Sequence, residues 1–159
     1  MAAGHTLVCF DGAAQLDGRV CGAGGIFKHH PSRVTKWFLN CGLGTNTKAE
    51  LMGLWASLTL AAMWSINHLL VLGDSRVIID WITQKCKLHS IHIEGWLHLT
   101  RNLSDQFSDI NYLHIPRSLN GEADALSKRA LKGVVGRLSV FHSENGIDSP
   151  ISSINIFER

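Results

Sequence analysis

Four carboxylates stand where the sequence changes from one predicted element to the next: Asp11, Glu50, Asp74 and Asp124. Asp11 and Asp74 each close a short apolar stretch, whereas Glu50 and Asp124 stand near the start of stretches with helical spacing. Ligand sites in open α/β sheets favour the carboxyl ends of strands, which is where Asp11 and Asp74 are expected. Carboxylates that converge repel one another unless cations lie between them. Because no Cys or His stands at metal-ligand spacing, an oxygen-only set favours Mg²⁺ or Mn²⁺ over Zn²⁺.

Each of the four carboxylates also has a purely structural interpretation. Asp11 precedes a glycine, and the pair is a turn signal. Thr47-x-x-Glu50 has the form of a capping box, in which Glu50 would reach back to the start of its own helix. Asp74, or the serine after it, could cap a helix, and Asp124 could complement the positive end of a helix dipole. Spacing alone leaves both interpretations open, although the four together favour one shared site.

Hydrophobic periodicity predicts the elements that position these residues. The predicted strands are 5–12, 20–30, 33–42, 68–74 and 109–116, and the predicted helices are 47–64, 75–84, 90–107 and 120–133. The first three strands are separated only by turn signals and predict an antiparallel meander, whereas the fourth is apolar enough to lie inside a sheet. We therefore expect an α/β domain over residues 1–133, with a five-stranded mixed sheet (three antiparallel strands, then two parallel) and helices on both faces. Residues 134–159, rich in Ser, Gly and Asn, are expected to form a weakly ordered tail.

Bulk properties fit one domain and exclude few partners. The chain has 159 residues, of which 45% are hydrophobic and 18% charged, as in ordinary globular domains. No apolar stretch approaches about 18 residues, and no basic segment precedes the first apolar run, so neither a membrane span nor a signal peptide is predicted. The four cysteines are expected to be reduced thiols in an intracellular protein of the cytoplasm or nucleus. A net charge of +2 permits a polyanionic partner without arguing for one.

Ribonucleases H of the type 1 fold carry an Asp, Glu, Asp, Asp signature, which residues 6–132 resemble in four motifs: FDGAA, TNTKAEL, GDS and NGEADALSK. The sequence is most similar to the archaeal-type domain found in the reverse-transcriptase polyproteins of plant non-LTR retroelements. The resemblance implies a ribonuclease H-like fold and hydrolysis of the RNA strand of RNA–DNA hybrids, leaving 5′-phosphate and 3′-hydroxyl ends. It also implies that Asp11, Glu50, Asp74 and Asp124 are catalytic and hold two Mg²⁺ ions, with Mn²⁺ as a substitute, about 3.5–4 Å apart.

The same resemblance implies roles for residues beside the carboxylates. Asn46, in the turn before Glu50, and the backbone of Gly12 would sense the 2′-hydroxyl that distinguishes RNA from DNA, although Asn46 is equally well explained as a turn residue. Ser75 would donate to a phosphate. Where many ribonucleases H have a catalytic His in the loop before the last Asp, this loop carries Arg117, as in the archaeal type. Because a guanidinium does not act as a base in proteins, Arg117 would bind the scissile phosphate or assist product release, and we favour it over the strand residue His114.

The chain has few basic residues between the two middle helices, which bears on how it would bind a hybrid. Some relatives carry a long basic segment between the two middle helices, whereas this chain offers only Lys85 and Lys87 there. Binding of the isolated monomer to a hybrid is therefore expected to be weak and salt-sensitive, and a reverse-transcriptase domain of the same polyprotein would supply affinity. The five tryptophans fall mostly on apolar faces and are predicted to pack in the core rather than stack on bases.

Two other functions compete with this interpretation. A catalytically silent ribonuclease H-like module that binds nucleic acid or a protein is expected to lack a carboxylate, whereas all four are present. A 3′→5′ exonuclease or a transposase of the same superfold would surround its acids with different local motifs.

Overall fold

The computed structural model describes residues 5–15, 17 and 19–157. The strands are β1 (Thr6–Ala14), β2 (Cys21–His30), β3 (Arg33–Gly42), β4 (His68–Gly73), β5 (Asp109–His114), β6 (Arg137–Glu144) and β7 (Ile147–Asn155). The helices are α1 (Asn46–Met63), α2 (Arg76–Ile82), α3 (Glu94–Ser104) and α4 (Gly121–Ala130), with 3₁₀ turns at Ile91–Ile93 and Arg117–Leu119. The predicted α/β class is confirmed, as is the order of strands and helices as far as α4.

The strands form one mixed sheet in the order β5-β4-β1-β2-β3-β6-β7. β1, β4 and β5 run parallel to one another, and the remaining neighbours are antiparallel. The predicted meander of three strands followed by two parallel strands is therefore present, but the predicted count of five strands is wrong.

The two additional strands arise from the segment that was expected to be a weakly ordered tail. β6 pairs with β3 and buries Leu138, Val140 and Phe141, so it covers an edge that β3 would otherwise expose. Asn145 and Gly146 join β6 to β7 with φ angles of 53° and 79°, as a two-residue hairpin turn of type I′ requires. An Asn-Gly pair flanked by alternating residues is a hairpin signal, and the polar composition of the segment obscured it.

Helices cover both faces of the sheet, and alternate residues of β2 contact the helices on opposite sides. A Cβ atom on Gly24 would lie 2.5 Å from the backbone nitrogen of Ser127 in α4, and one on Gly22 would lie 2.8 Å from the Cβ of Ala130. Ala23, between the two glycines, approaches Gly53 of α1 on the other face. The glycines of β2 therefore allow α4 to pack directly on the strand backbone, while α1 lies against the opposite face.

α1 is the central helix of the core, and most of its residues from Ala49 to Ala61 are buried. The predicted core role of the tryptophans is confirmed for Trp37 and Trp81, which are buried. Trp55 of α1 meets Trp96 of α3 edge to face, with ring centroids 5.1 Å apart. Trp64 is the exception at 36% exposed. All four cysteines are free thiols, and among the described helices none is long and apolar enough to cross a membrane.

Candidate metal centre

Three of the four predicted carboxylates meet at one end of the parallel strands. Asp11, Glu50 and Asp74 each contribute an oxygen atom, and these atoms all lie within 4.8 Å of one another. The register explains the meeting of the two aspartates: Phe10 of β1 pairs with Gly73 of β4, so the next residue of each chain segment is a carboxylate at the same level. Asp11 lies within β1 rather than at its end, because the strand continues to Ala14.

Glu50 reaches this cluster because the first turns of α1 rest directly on the backbone of β1. A Cβ atom on Gly12 would lie 2.4 Å from the backbone nitrogen of Glu50 and 2.5 Å from the carbonyl carbon of Ala49. Only glycine allows this approach. The Gly12 N–H donates to Asp11 Oδ1 at 2.8 Å and so fixes that carboxylate. Gly12 therefore has a structural role, and the contact of its backbone with a 2′-hydroxyl of the substrate stays a prediction.

The capping box expected at Thr47-x-x-Glu50 is wrong. The cap of α1 is Thr45, whose side chain accepts from the Lys48 N–H at 3.3 Å. Thr47 is thus already within the first turn. The Glu50 carboxylate, only 8% exposed, faces the sheet and Asp11 rather than the helix start. Because the helix begins two residues earlier than the motif suggested, Glu50 serves the cluster instead of the cap.

Burial and mutual proximity raise the pKa values of the Asp11 and Glu50 carboxyl groups. Burial, followed by the hydrogen bond with Asp11 and the Asp11 charge, raises the pKa of Glu50 to about 10. Burial likewise raises the pKa of Asp11 to about 6, opposed by hydrogen bonds from Glu50 and the Gly12 N–H. Both shifts have the same direction, so burial and mutual repulsion oppose the ionisation of both groups at once in the absence of a cation.

The donor set fits divalent cations that prefer oxygen ligands. Glu50 Oε2 is buried and accepts no hydrogen bond from any described residue, and such a buried oxygen normally has a partner. A cation bound by Asp11, Glu50 and Asp74 would provide that partner and relieve the repulsion between the carboxylates. With no Cys or His in this group of three, the ligand chemistry suits Mg²⁺ or Mn²⁺.

The fourth predicted carboxylate, Asp124, lies beside this group rather than within it. It sits in the first turn of α4, and its Oδ2 is 3.0 Å from Lys128 Nζ in an i,i+4 pair. The charge of Asp124 nevertheless contributes to the raised pKa of Asp11, so the two carboxylates are electrostatic neighbours. Asp124 is thus placed at the rim of the site with a lysine partner, and its role as a metal ligand stays a prediction.

Asn120 is a site residue whose part the sequence did not reveal. It occupies the cap position of α4, but its side chain makes no cap hydrogen bond. Instead its Nδ2 donates to the Phe10 carbonyl at 2.9 Å and to Asp74 Oδ2 at 3.1 Å. Asn120 is 2% exposed. It therefore ties the start of α4 to β1 and orients Asp74, a contact across more than 40 residues that local patterns do not encode.

Two residues were considered for the loop before α4. His114 belongs to β5, as predicted, and is its last residue. Arg117 begins the 3₁₀ turn that follows. His114 Nε2 lies 3.1 Å from the Asp74 carbonyl, and its Nδ1 lies 3.1 Å from Arg76 Nη2. Since Arg76 can only donate, the network assigns the proton to Nε2. His114 thus supports the backbone of Asp74, whereas Arg117 is exposed to solvent.

The predicted substrate contacts occupy helix starts. Asn46 is the exposed first residue of α1, one turn before Glu50. Ser75 caps α2 by accepting from the Ile78 N–H at 3.4 Å. Asn46 comes four residues before Glu50 and Ser75 directly follows Asp74, and their contacts with substrate stay predictions.

The fold and the buried carboxylates define a ribonuclease H-like domain. A family model described as reverse transcriptase-like matches residues 9–130. The chain therefore belongs to this family of ribonuclease H domains, which confirms the resemblance read from its four motifs.

Relatives agree with this assignment. Ribonuclease HI of Halobacterium salinarum is 31% identical over 90 residues, which are 57% of this chain and 45% of that protein. A bifunctional protein of Mycobacterium tuberculosis is 31% identical over 90 residues, which are 57% of this chain and 25% of that protein. The chain thus spans less than half the length of the curated relatives it matches.

Solved structures match over most of the fold. Ribonuclease H1 of H. salinarum gives a TM-score of 0.74 at 26% identity, covering 80% of this chain and 97% of that one. The N-terminal ribonuclease H domain of the M. tuberculosis protein gives 0.73 at 26% identity, covering 80% and 93%. A compost-derived ribonuclease H1 in complex with an RNA/DNA hybrid gives 0.69 at 20% identity, covering 79% and 96%, and shows the fold alone.

Proposed function

We propose that this protein is a metal-dependent endoribonuclease that hydrolyses the RNA strand of RNA–DNA hybrids. The observation that carries the proposal is the group formed by buried Asp11 and Glu50 with half-buried Asp74, whose oxygens converge within 4.8 Å. A merely structural site would not bury two interacting carboxyl groups and leave Glu50 Oε2 without a hydrogen-bond partner among the described residues. Strongly perturbed carboxyl groups of this kind are typical of active sites.

The proposed roles follow from the geometry. Asp11, Glu50 and Asp74, with Asp124 at the rim, would hold two Mg²⁺ ions, which Mn²⁺ would replace. When bound, these ions would activate the attacking water and neutralise charge on the scissile phosphate. As ligands, Asp11 and Glu50 would both be ionised, which their burial and mutual repulsion disfavour without a cation. The rigid backbone contact at Gly12 keeps both carboxylates in place, so little reorganisation is needed during the reaction.

The substrate contacts extend from the same edge of the sheet. Asn46 and the Gly12 backbone would contact 2′-hydroxyl groups, and Ser75 would donate to a phosphate. Arg117, exposed beside α4, would bind the scissile phosphate or help product leave. We further propose that this domain is part of an intracellular retroelement polyprotein, in which a reverse-transcriptase domain supplies affinity for the hybrid to an otherwise monomeric domain. The match to a reverse transcriptase-like family model favours the retroelement context.

The direct test is cleavage of labelled RNA–DNA hybrid, duplex RNA and duplex DNA with Mg²⁺, with Mn²⁺ and with chelator. Internal cuts confined to the RNA of the hybrid, present with metal and abolished by Asp11→Asn, are the expected result. Glu122→Gln, which changes an exposed carboxylate at the start of α4, is the matched control. Binding of the hybrid without any cutting by the wild-type protein would favour the catalytically silent module instead.

The assignment of Arg117 is tested separately by comparing Arg117→Ala with His114→Ala. Arg117→Ala is expected to lower kcat more, because the side-chain hydrogen bonds of His114 to described residues go to the Asp74 carbonyl and Arg76 rather than to a carboxylate of the site. Circular dichroism of both variants separates loss of fold from loss of rate. A larger loss of kcat in the His114 variant would show that the histidine, despite its place in β5, is the group that assists the reaction.

A further inference from the structure

A second group of metal-ligating side chains lies at the opposite end of the parallel strands. His5, His68 and Asp109 each offer one ligand atom, and these atoms all lie within 4.8 Å of one another. His5 lies six positions before Asp11, immediately ahead of β1, and six positions span about 20 Å at the rise of an extended strand. The group is therefore remote from the carboxylate cluster and takes no part in it.

The register of the sheet builds this group. His68 pairs with Asp109 across β4 and β5, and Thr6 pairs with Leu69 across β1 and β4, so His5 lies level with His68. Residues level with one another on adjacent strands project from the same face. The rings of His5 and His68 accordingly have centroids 5.1 Å apart. Three adjacent strands thus present two imidazoles and a carboxylate in one row.

Asp109 is the hydrogen-bond partner of both imidazoles, at distances somewhat shorter than those between the ligands of a metal ion. Asp109 Oδ2 lies 3.2 Å from His5 Nε2 and 2.8 Å from His68 Nδ1. Ligands held about 2.0–2.1 Å from a tetrahedral Zn²⁺ ion are about 3.4 Å apart, so only small side-chain shifts separate the present arrangement from a coordinated one. Asn111 Nδ2, 3.4 Å from Asp109 Oδ1, orients the carboxylate through its other oxygen.

We propose that His5, His68 and Asp109 bind a divalent transition metal ion, with Zn²⁺ as the representative ion. Two imidazoles with one carboxylate favour Zn²⁺, Ni²⁺, Co²⁺ or Cu²⁺ over Mg²⁺, which prefers oxygen ligands. His68 is 49% and Asp109 38% exposed, so the ion is reached from solvent and water completes its coordination. The bound ion joins the residue that precedes β1 to the starts of β4 and β5, and its effect is on stability rather than on catalysis.

The test is a titration of the complete protein with Co²⁺, whose absorption spectrum reports its ligands, in millimolar Mg²⁺ to occupy the carboxylate cluster. Wild-type protein is expected to bind one equivalent of Co²⁺, and Zn²⁺ is expected to displace it. His5→Gln, His68→Gln and Asp109→Asn are each expected to weaken binding at least about tenfold. His98→Gln, the same substitution at an exposed histidine of α3, should leave binding unchanged.

Stability gives an independent readout. Zn²⁺ at about 100 times its Kd should raise the melting temperature of the wild type by about 5–10 °C, and that rise should be absent in His68→Gln. Circular dichroism of His68→Gln without metal should match the wild type because the side chain is half exposed. Equal Co²⁺ binding by wild type and His68→Gln, or no binding by either, would overturn the proposal.

Discussion

Replacing Glu50 by Gln should stabilise the metal-free protein at neutral pH, although it removes a residue of the proposed active site. The Glu50 carboxyl group is 8% exposed, and its Oε2 has no hydrogen-bond partner among the described residues. Its pKa is raised from 4.5 to about 10, mainly by burial and then by Asp11. Folding at neutral pH must therefore either bury a repelled charge or take up a proton. Glutamine is neutral and of similar size, so it avoids this requirement.

The magnitude follows from the difference between folded and unfolded pKa values. Because the folded pKa is the higher one, stability due to the protonated carboxyl is complete below about pH 4.5 and is lost as pH rises toward 10. At pH 7.5 the group lies about three pH units above its unfolded pKa, and about 1.4 kcal/mol per unit gives an upper bound of about 4 kcal/mol. Interaction with Asp11 and local relaxation reduce this, so we expect a gain of about 2–4 kcal/mol for Glu50→Gln.

Urea unfolding in chelator at pH 5 and pH 7.5 measures this difference. Glu50→Gln should be nearly as stable as the wild type at pH 5 and clearly more stable at pH 7.5. Glu122→Gln, at a side chain that is 61% exposed, should show no such dependence on pH. Mg²⁺ should then stabilise the wild type more than Glu50→Gln, since the carboxylate is a proposed ligand. A variant that is less stable than the wild type in chelator at pH 7.5 would refute the account of Glu50 as a buried, cation-seeking carboxyl group.

Three further predictions concern two contacts that position the site and the packing of β6 in the core. Asn120→Ala should lower the free energy of unfolding by about 1–3 kcal/mol, since it leaves the Phe10 carbonyl unpaired. It should also reduce hybrid cleavage about 10–100-fold by freeing Asp74. An unchanged rate in a steady-state assay would contradict the positioning role. Gly12→Ala should lower the free energy of unfolding by at least about 3 kcal/mol, because its Cβ would lie 2.4 Å from a backbone nitrogen of α1. Gly121→Ala, with no atom within 4 Å of the new Cβ, serves as the control in the same denaturation experiment. Leu138→Ala, in the fully buried part of β6, should cost about 2–5 kcal/mol by thermal or urea unfolding; a loss no larger than that of the exposed Val134→Ala would mean that β6 is not part of the core.

The order of strands and helices could be predicted because it rests on local periodicity. α1 shows helical spacing after a polar turn, and β4 is a short apolar run, so their types follow from neighbouring residues alone. Local signals also placed Asp11 and Asp74 near strand ends and Glu50 in an early helical turn. Their joint occurrence pointed to the metal chemistry before any distance was known.

Where local signals competed, the sequence was misleading. Thr45 and Thr47 could each cap the helix by residue type. Thr45 is the cap in the structure, in which α1 packs on Gly12. The segment after residue 133 is polar in composition, yet its Asn-Gly turn and the open edge of β3 make it a hairpin. In both cases the decision depends on a surface supplied by a distant part of the chain.

The sequence by itself determined the kinds of residue and element that form this protein, because periodicity, turn chemistry and motif order are properties of neighbours along the chain. Only the tertiary structure decided which groups meet and what their surroundings do to them. The burial that raises the pKa of Glu50, the donation from Asn120 to Asp74, and the alignment of His5, His68 and Asp109 all join residues more than 35 positions apart. Such contacts depend on strand register and on the approach of helices to the sheet, and electrostatic interactions act through space rather than along the chain.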